Sequence, residues 1–380
     1  MQPDSRITQL AKNLIDYSLA VQPGEVLYID MIGRDTQELG KELIRLATEK
    51  GAVPFWNVFD DELTKGFFTG ADEKQHALFA DFHQKIMERV DAYIGIRGPL
   101  NPFELSDLTS AQKEMKQKHF SEVVHMRTRL KKRWCVLRYP NAAMAALAKK
   151  SVTNFEDFYF NVCNLDYARM SAAMNPLVEL MTKTDRVRIV SPGTDIEFSI
   201  KGVPVIKCDG KLNIPDGEVF TAPIKNSMNG RIAYNTTSFY QGTLFRNITL
   251  EVKNGRIERF TSPENNTELE QIFASDAGAR YFGEFAIGVN PFIRNPMNDT
   301  LFDEKIYGSI HLTPGNSYDD APNGNNSTVH WDLVLIQTPA YGGGELYFDG
   351  KLIRKDGRFV LPQLEALNDT MNDTMNGVTQ

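Results

Sequence analysis

The sequence predicts an α/β N-terminal domain with a mostly parallel sheet, joined to a predominantly antiparallel β (α+β) C-terminal domain. Three observations lead there. The first half alternates amphipathic helical stretches with short apolar runs. From about Asp185 the pattern changes to period-two alternation, and turn dipeptides recur: Asp-Gly at 209, 216, 349 and 356, Asn-Gly at 254. At 380 residues, the chain is also too long for one ordinary core. The expected division is an α/β domain over 1–184, a β-rich domain over 185–367 and a polar tail over 368–380.

In order along the chain, Ile7, Leu10, Ala11, Leu14, Ile15 and Leu19 share one helical face, opened by the capping residues Asp4 and Ser5. "GEVLYIDM" follows a Pro-Gly turn and reads as a buried strand. "DTQELGKELIRLATEKG" is a helix stopped by Gly, and "AVPFWNVF", "VDAYIGIRG" and "RWCVLRYP" are further strands. "NAAMAALAKKS" reads as a helix, and "FEDFYFNVCNLDYARMSAAMNPLVELMTKT" as one long helix joining the halves. Beyond 185, "ITLEVKNGRIERF" and "ELYFDGKLIRKDGRFV" are hairpins, and "NNTELEQIFASDAGA" is a helix. The tail repeats Asn-Asp-Thr-Met and is expected to fray.

Composition excludes several classes. A net charge of −7 is unsuited to binding a nucleic-acid backbone. No run approaches the apolar length of a membrane helix, and the N-terminus lacks a secretory pattern. The three cysteines, Cys135, Cys163 and Cys208, form no CxxC and no disulfide framework. The expected location is therefore cytoplasmic, and the Asn-x-Ser/Thr triplets at Asn235, Asn247 and Asn298 are chance matches. HExxH, GxSxG, P-loop and GxGxxG motifs are all missing, and "YGGGE" at 341 lacks the following Lys-Ser/Thr.

The six histidines divide the remaining candidates. His76 and His83 fall in an amphipathic helix and read as surface or packing residues. His119 and His125 are six apart, which on a helix points them in different directions. The neighbouring basic run "RTRLKKRW" reads as a solvated face or subunit contact. That leaves His311, ending "KIYGSIHL", and His330, in "VHWDLVLIQ". "VHWDLVLIQ" reads as a strand, in which His330 and Asp332 point to one face and Trp331 to the other. Glu218 follows the turn of "NIPDGEVFTAP", and Glu284 sits among apolar residues in "YFGEFAIGVNP". A glutamate in such surroundings needs a cation or donor. Two histidines and three carboxylates suit Zn, Co or Mn. Five ligands exceed what one catalytic zinc uses, and suit two metals bridged by a carboxylate.

The stretches "NIPDGEVFTAP", "GEFAIGVNP", "IHLTPGNSY" and "VHWDLV", in that order, resemble the M29 metallo-aminopeptidases, the thermophilic-type aminopeptidases. Upstream, "FEDFYFNVCNLDYARM" and "GTDIEFSIKG" are similar too, so the likeness runs from residue 1 to about 365. The resemblance implies that Glu218, Glu284, His311, His330 and Asp332 hold two divalent metal ions per chain (Zn, Co, Mn or Mg). It implies that Tyr318 is the active-site tyrosine, and that the substrate is a peptide with a free N-terminus. It further implies a cytoplasmic homodimer, with a catalytic C-terminal domain shielded by the N-terminal one. Thr313-Pro314 and "APNGNN" depart from the family pattern, in the connection between the two histidines. Glu304, in "FDEK", is either a proton shuttle or an exposed charge. The rival readings are another metal-dependent amide hydrolase (dipeptidase, carboxypeptidase or deacylase) and a non-catalytic peptide-binding protein.

Overall fold

The computed structural model describes residues 4–241 and 243–368. Apart from Asn368, the expected tail lies outside them. The chain forms two compact units, residues up to 165 with 210–215, and residues 166–209 with 216 onward.

The first unit is a five-stranded parallel sheet. Its strands are β1 (Val26–Ile32), β2 (Val53–Phe59), β3 (Ala92–Arg97), β4 (Arg133–Arg138) and, from 210–215, the short strand β8 (Asn213–Ile214). The order is β2-β1-β3-β4-β8, with parallel pairing throughout. β1 and β3 are apolar runs buried on both faces, as central parallel strands must be. The helices are α1 (Ser5–Lys12, extended by a π-helical stretch Asn13–Ser18), α2 (Gln37–Glu49), α3 (Asp61–Gly70), α4 (Glu73–Arg89), α5 (Ser110–Lys116), α6 (Ala142–Leu147) and α7 (Val152–Cys163). A second π-helical stretch, Gln117–Met126, follows α5. His76 is 2% exposed and packs on Phe67 and Phe68. The basic run is not a uniform cationic face: Arg129 lies over Trp134, and Arg133 pairs with Glu25.

The second unit opens with α8 (Tyr167–Lys183). The stretch read as one long helix is therefore two. α7 ends at Cys163, and the Asp166 side chain caps the new helix by accepting from Arg169 N at 2.9 Å. The apolar face continues across the break, which is why periodicity alone misses it.

An eight-stranded antiparallel sheet follows. It takes β5 (Arg186–Ser191), β6 (Thr194–Ser199), β10 (Asn229–Ala233), β13 (Thr249–Lys253), β14 (Arg256–Thr261), β18 (Glu345–Phe348), β19 (Lys351–Lys355) and β20 (Arg358–Phe359), in the order β14-β13-β10-β6-β5-β18-β19-β20. The Asn254-Gly255 and Asp349-Gly350 turns have positive φ at both residues, as two-residue hairpins require. β11 (Thr237–Tyr240) pairs with β12 (Thr243–Arg246), and α9 is Asn266–Phe273. Asn368 is 1% exposed and clamps the backbone of Phe359 at 2.8 and 2.9 Å.

The remaining sheet carries the site. Its strands are β7 (Ile206–Cys208), β9 (Glu218–Thr221), β15 (Phe282–Gly288), β16 (Ser309–Pro314) and β17 (Leu333–Ile336), ordered β17-β16-β15-β9-β7, with the short helix α10 (Thr300–Asp303) before β16. All pairings in it are antiparallel.

Candidate metal centre

β15 is buried along its whole length and lies between β9 and β16. Its register sets Gly288 opposite Glu218 and Ala286 opposite His311. Glu218 and His311 therefore belong to strands separated by a third. They still meet, His311 Nε2 to Glu218 Oε2 at 3.5 Å, over positions that carry almost no side chain. Glu284 comes from β15 itself, beside a bulge between Phe282 and Glu284. Its Oε1 is 3.2 Å from His311 Nε2 and its Oε2 3.3 Å from His330 Nε2.

His330 and Asp332 lie in extended chain just before β17, not within the strand; His330 makes a single bridge to Gly315. The side chains still converge, His330 Nε2 to Asp332 Oδ1 at 3.4 Å. Trp331 turns away, stacking on Tyr240 and donating to Ser238 Oγ at 2.8 Å. The bridge needs Gly315, which has φ +107°; a Cβ there would fall 2.0 Å from Val329 O. Glu218 depends on Gly217 in the same way (φ +133°), with a Cβ 3.0 Å from that of Asn290. Asn290 in turn ties down the Asp216 carbonyl through its Nδ2 at 2.7 Å.

Two groups of ligand-type atoms result, Glu218–Glu284–His311 and Glu284–His330–Asp332, each lying within 4.8 Å, with Glu284 common to both. All five sequence candidates are thus brought together. Tyr318 joins them at the rim, 47% exposed, its ring 4.5 Å from that of His330 and 5.7 Å from that of Phe220. Partial burial and then the carboxylates of Asp332 and Glu284 raise its phenol pKa, so it remains a proton donor.

Three neighbours complete the site, of which only Glu304 is a candidate from the sequence. Lys305 is 2% exposed, with Nζ 2.7 Å from Glu218 Oε1 and 3.7 Å from Asp216 Oδ1, and it is also paired to Glu304. Glu304 is accordingly no exposed charge: its side chain is 14% exposed, and burial raises its pKa well above the carboxylate range. Thr313, fully buried, donates to Asp332 Oδ1 at 2.8 Å. The sequence signal for the first two was slight, a charged pair wedged between the apolar "LF" and "IYG". Cys208 lies beside Asp216 and Glu218, but burial first and those carboxylates second hold its thiol protonated.

The Asn-rich connection between the histidines is a fastening. Asn325 is fully buried and donates to Gly278 O (2.9 Å) and Gly315 O (2.6 Å). Asn323 donates to Pro223 O and Phe282 O, both at 2.7 Å. Asp276 accepts from Ser327 Oγ, Thr328 N and Thr328 Oγ1 at 2.7–2.8 Å. The product of these ties is the position of Asn316, whose carbonyl is 2.9 Å from His330 Nδ1. A proton on Nδ1 donates there and leaves Nε2 facing Glu284 and Asp332.

The donor set fits divalent metal. His330 Nε2, His311 Nδ1 and Glu218 Oε2 are buried without hydrogen-bond partners. Three carboxylates, those of Asp216, Glu218 and Glu304, crowd against the one ammonium of Lys305, and two more, Glu284 and Asp332, face His330. So much buried negative charge calls for cations. The same carboxylates act on the two imidazoles. Burial favours their neutral form, but the carboxylates override it, raising His311 to about 9 and His330 to about 12.

Comparison with known proteins agrees with this chemistry. Aminopeptidase 2 of Geobacillus stearothermophilus is 22% identical over 93% of this chain and 95% of its own length. Aminopeptidase T of Thermus thermophilus is 28% identical over 45% of this chain and 48% of its own length. Among solved structures, wild-type AmpT from Thermus thermophilus superposes with a TM-score of 0.79 at 20% identity, covering 94% of this chain and 99% of that one. A 2,5-dihydroxypyridine dioxygenase from Pseudomonas putida shares the fold more distantly, with a TM-score of 0.59 at 14% identity over 95% and 99% of the two chains. The family model described as thermophilic metalloprotease (M29) matches residues 3–359, and this chain, a peptide hydrolase, belongs to that family.

Proposed function

We propose that the protein is a metal-dependent aminopeptidase that removes the N-terminal residue of peptides at a dinuclear centre. In this reading Glu218, Glu284, His311, His330 and Asp332 hold two divalent ions, of Zn, Co, Mn or Mg. One observation carries it: the Glu284 carboxylate turns one oxygen to each histidine, so two ligand groups share a single residue. When bound, two such ions supply an acidified water as nucleophile and Lewis acidity at the scissile carbonyl.

The chain's own residues do the rest. Asn316 O and Thr313 Oγ1 fix His330 and Asp332. Lys305 neutralises part of the negative charge on Glu218 and stays clear of the rim. Tyr318, at the exposed edge and beside His330, donates its phenolic proton to the oxyanion that develops on the substrate. Loss of one such donor costs about 100- to 1,000-fold in turnover. The reading includes a homodimer in the cytoplasm. The edge strand β2, with Val53, Phe55 and Trp56 about half exposed, supports a subunit contact.

The test is metal analysis paired with a panel of aminoacyl-p-nitroanilides. Two ions per chain and cleavage of Leu-p-nitroanilide, with acetyl-Leu-p-nitroanilide refused, are expected. Cleavage of the acetylated substrate would favour a different amide hydrolase, and metal without turnover on any peptide would favour a binding protein. Activity that survives both exhaustive chelation and His330→Ala would sink the two-metal reading. Tyr318→Phe should keep the metals and lose turnover.

A further inference from the structure

The parallel sheet of the first unit contains a feature that peptide hydrolysis at the metal centre does not use. Its order, β2-β1-β3, places consecutive strands on opposite sides of β1, so the β1/β3 boundary is a topological switch point. In open α/β sheets, crevices form there, at the carboxyl ends of the strands. A cavity of about 270 Å³ lies at that place. Asp30 and Ile32 of β1, Phe59 of β2 and Arg97 of β3 form its floor; α3, α4 and the π-helical stretch close over it. At about 30 Å³ per water it holds about nine, room for a ligand of about ten non-hydrogen atoms.

The walls are mostly aromatic, with Phe59, Phe68, Phe79 and Phe120. Two charged groups among them keep unused hydrogen-bonding capacity, although Asp30 is ion-paired to Arg97 and Asp61 also lines the cavity. Asp30 is 6% exposed; its Oδ2 accepts from Tyr93 and from Arg97 Nη2 (3.0 Å), but its Oδ1 is buried with no hydrogen-bond partner. Lys116, half-buried, has no carboxylate within ion-pair distance among the described residues; its ammonium lies 5.6 Å from the Phe68 ring, and Asp61 acts on it only at longer range. Burial lowers its pKa, and lowers those of His83 and His125, the latter to about 4. Both imidazoles are thus neutral hydrogen-bonding groups at neutral pH. A carboxylate oxygen lacking a donor and an ammonium lacking an acceptor, set in one aromatic cavity, are complementary to a small zwitterion with an apolar body.

We infer that this cavity is a binding site for a free apolar α-amino acid, whose ammonium meets Asp30, whose carboxylate meets Lys116 and whose side chain fills the aromatic walls. It lies within the first unit and shares no residue with the metal centre.

Calorimetry with L-leucine and L-phenylalanine on the full-length, metal-loaded protein tests this. Saturable binding at one site is expected in the wild type and in His330→Ala, whose catalytic centre is impaired. Asp30→Asn and Lys116→Met should each weaken binding by about tenfold or more, and Phe79→Trp, which fills the cavity, should abolish it. All three should retain wild-type turnover of saturating Leu-p-nitroanilide, which also reports that they fold. Three results would each overturn the assignment: no saturable binding at millimolar ligand; binding lost in His330→Ala but kept in the three cavity variants; or phenethylamine binding as tightly as phenylalanine.

Discussion

Replacing Thr313 by valine removes one hydroxyl and almost no volume. The residue is fully buried on β16, and its Oγ1 donates to Asp332 Oδ1 at 2.8 Å. The acceptor is a carboxylate whose pKa is held below its usual range: burial alone would raise it, but His330 and His311 and then this hydroxyl lower it. A hydrogen bond to a charged group is worth about 1.5–3 kcal/mol. At 1.4 kcal/mol per factor of ten, that is roughly 10- to 150-fold in any equilibrium that needs Asp332 in place. Residues that orient metal ligands from behind typically contribute about 10- to 100-fold to metal affinity. The expected result for Thr313→Val is therefore a loss of about 10- to 100-fold in affinity for the more weakly held ion, with the folded CD spectrum intact. Thr313→Ser, which keeps the hydroxyl, should recover most of it. The assay is competition with a coloured chelator against metal-loaded protein. Affinity for both ions within about twofold of wild type in Thr313→Val would refute the assignment of Asp332 as a ligand positioned by this bond.

Other consequences can be read from the same contacts. Partial burial would raise the pKa of Asp276, but hydrogen bonds from Thr328, Ser327 and Gly278 outweigh it and lower the group from 3.8 to about 2. A lowered folded pKa means stabilisation that is complete above about 3.8 and lost as pH falls through about 2. Screened by water, it is worth about 1–2 kcal/mol. In urea unfolding, Asp276→Ala should trail the wild type by that amount at pH 5–7, and the gap should shrink below pH 4; a constant gap at pH 3 contradicts the linkage. Lys305→Met leaves Glu218 and Asp216 without their ammonium and should cost metal-free protein about 3–5 kcal/mol, seen as a clear fall in Tm that added metal partly restores. An unchanged Tm would show that the lysine is dispensable. With His311 at about 9 and His330 at about 12 before metal enters, both rings carry protons at pH 7. Ligation displaces them, so metal affinity should rise with pH, and calorimetry in buffers of different ionisation heat should register proton release. No release would mean that the histidines are not ligands.

What the sequence discloses depends on whether the cause is local. β1 and β3 are legible because a central parallel strand is a short continuous apolar run. The hairpin turns at 254 and 349 are legible because positive φ at both residues demands Asn-Gly or Asp-Gly. The break before α8 is not, since apolar periodicity passes straight over it and only the cap at Asp166 marks it. Within the site, the residue types and their extended settings can be read, but the meeting of Glu218 with His311 rests on strand order and on the vacancy above Ala286 and Gly288. The Asn-rich segment misleads in the opposite direction. Asn and Gly look like a free loop, yet Asn323 and Asn325 are spent on backbone carbonyls from distant parts of the chain. Lys305 looks like a surface charge because its carboxylate partners lie mostly some ninety residues upstream.

The fold by itself does not choose the reaction, since a dioxygenase shares it at a TM-score of 0.59. The donor atoms make the distinction. A non-haem iron oxygenase site typically offers two histidines and one carboxylate to a single ion, leaving positions open. Here each ligand group contains one imidazole and two carboxylates, and the two groups overlap only at Glu284. That set is harder and more negative than a two-histidine triad, and in the proposed function it is the site of a pair of divalent ions. The stoichiometry decides between these alternatives. Two ions per chain, with Glu284→Gln lowering the occupancy of both, follows from a shared carboxylate. One ion per chain, unaffected by Glu218→Gln, would mean that only Glu284, His330 and Asp332 bind, and the hydrolytic centre would have to be rebuilt around a single metal.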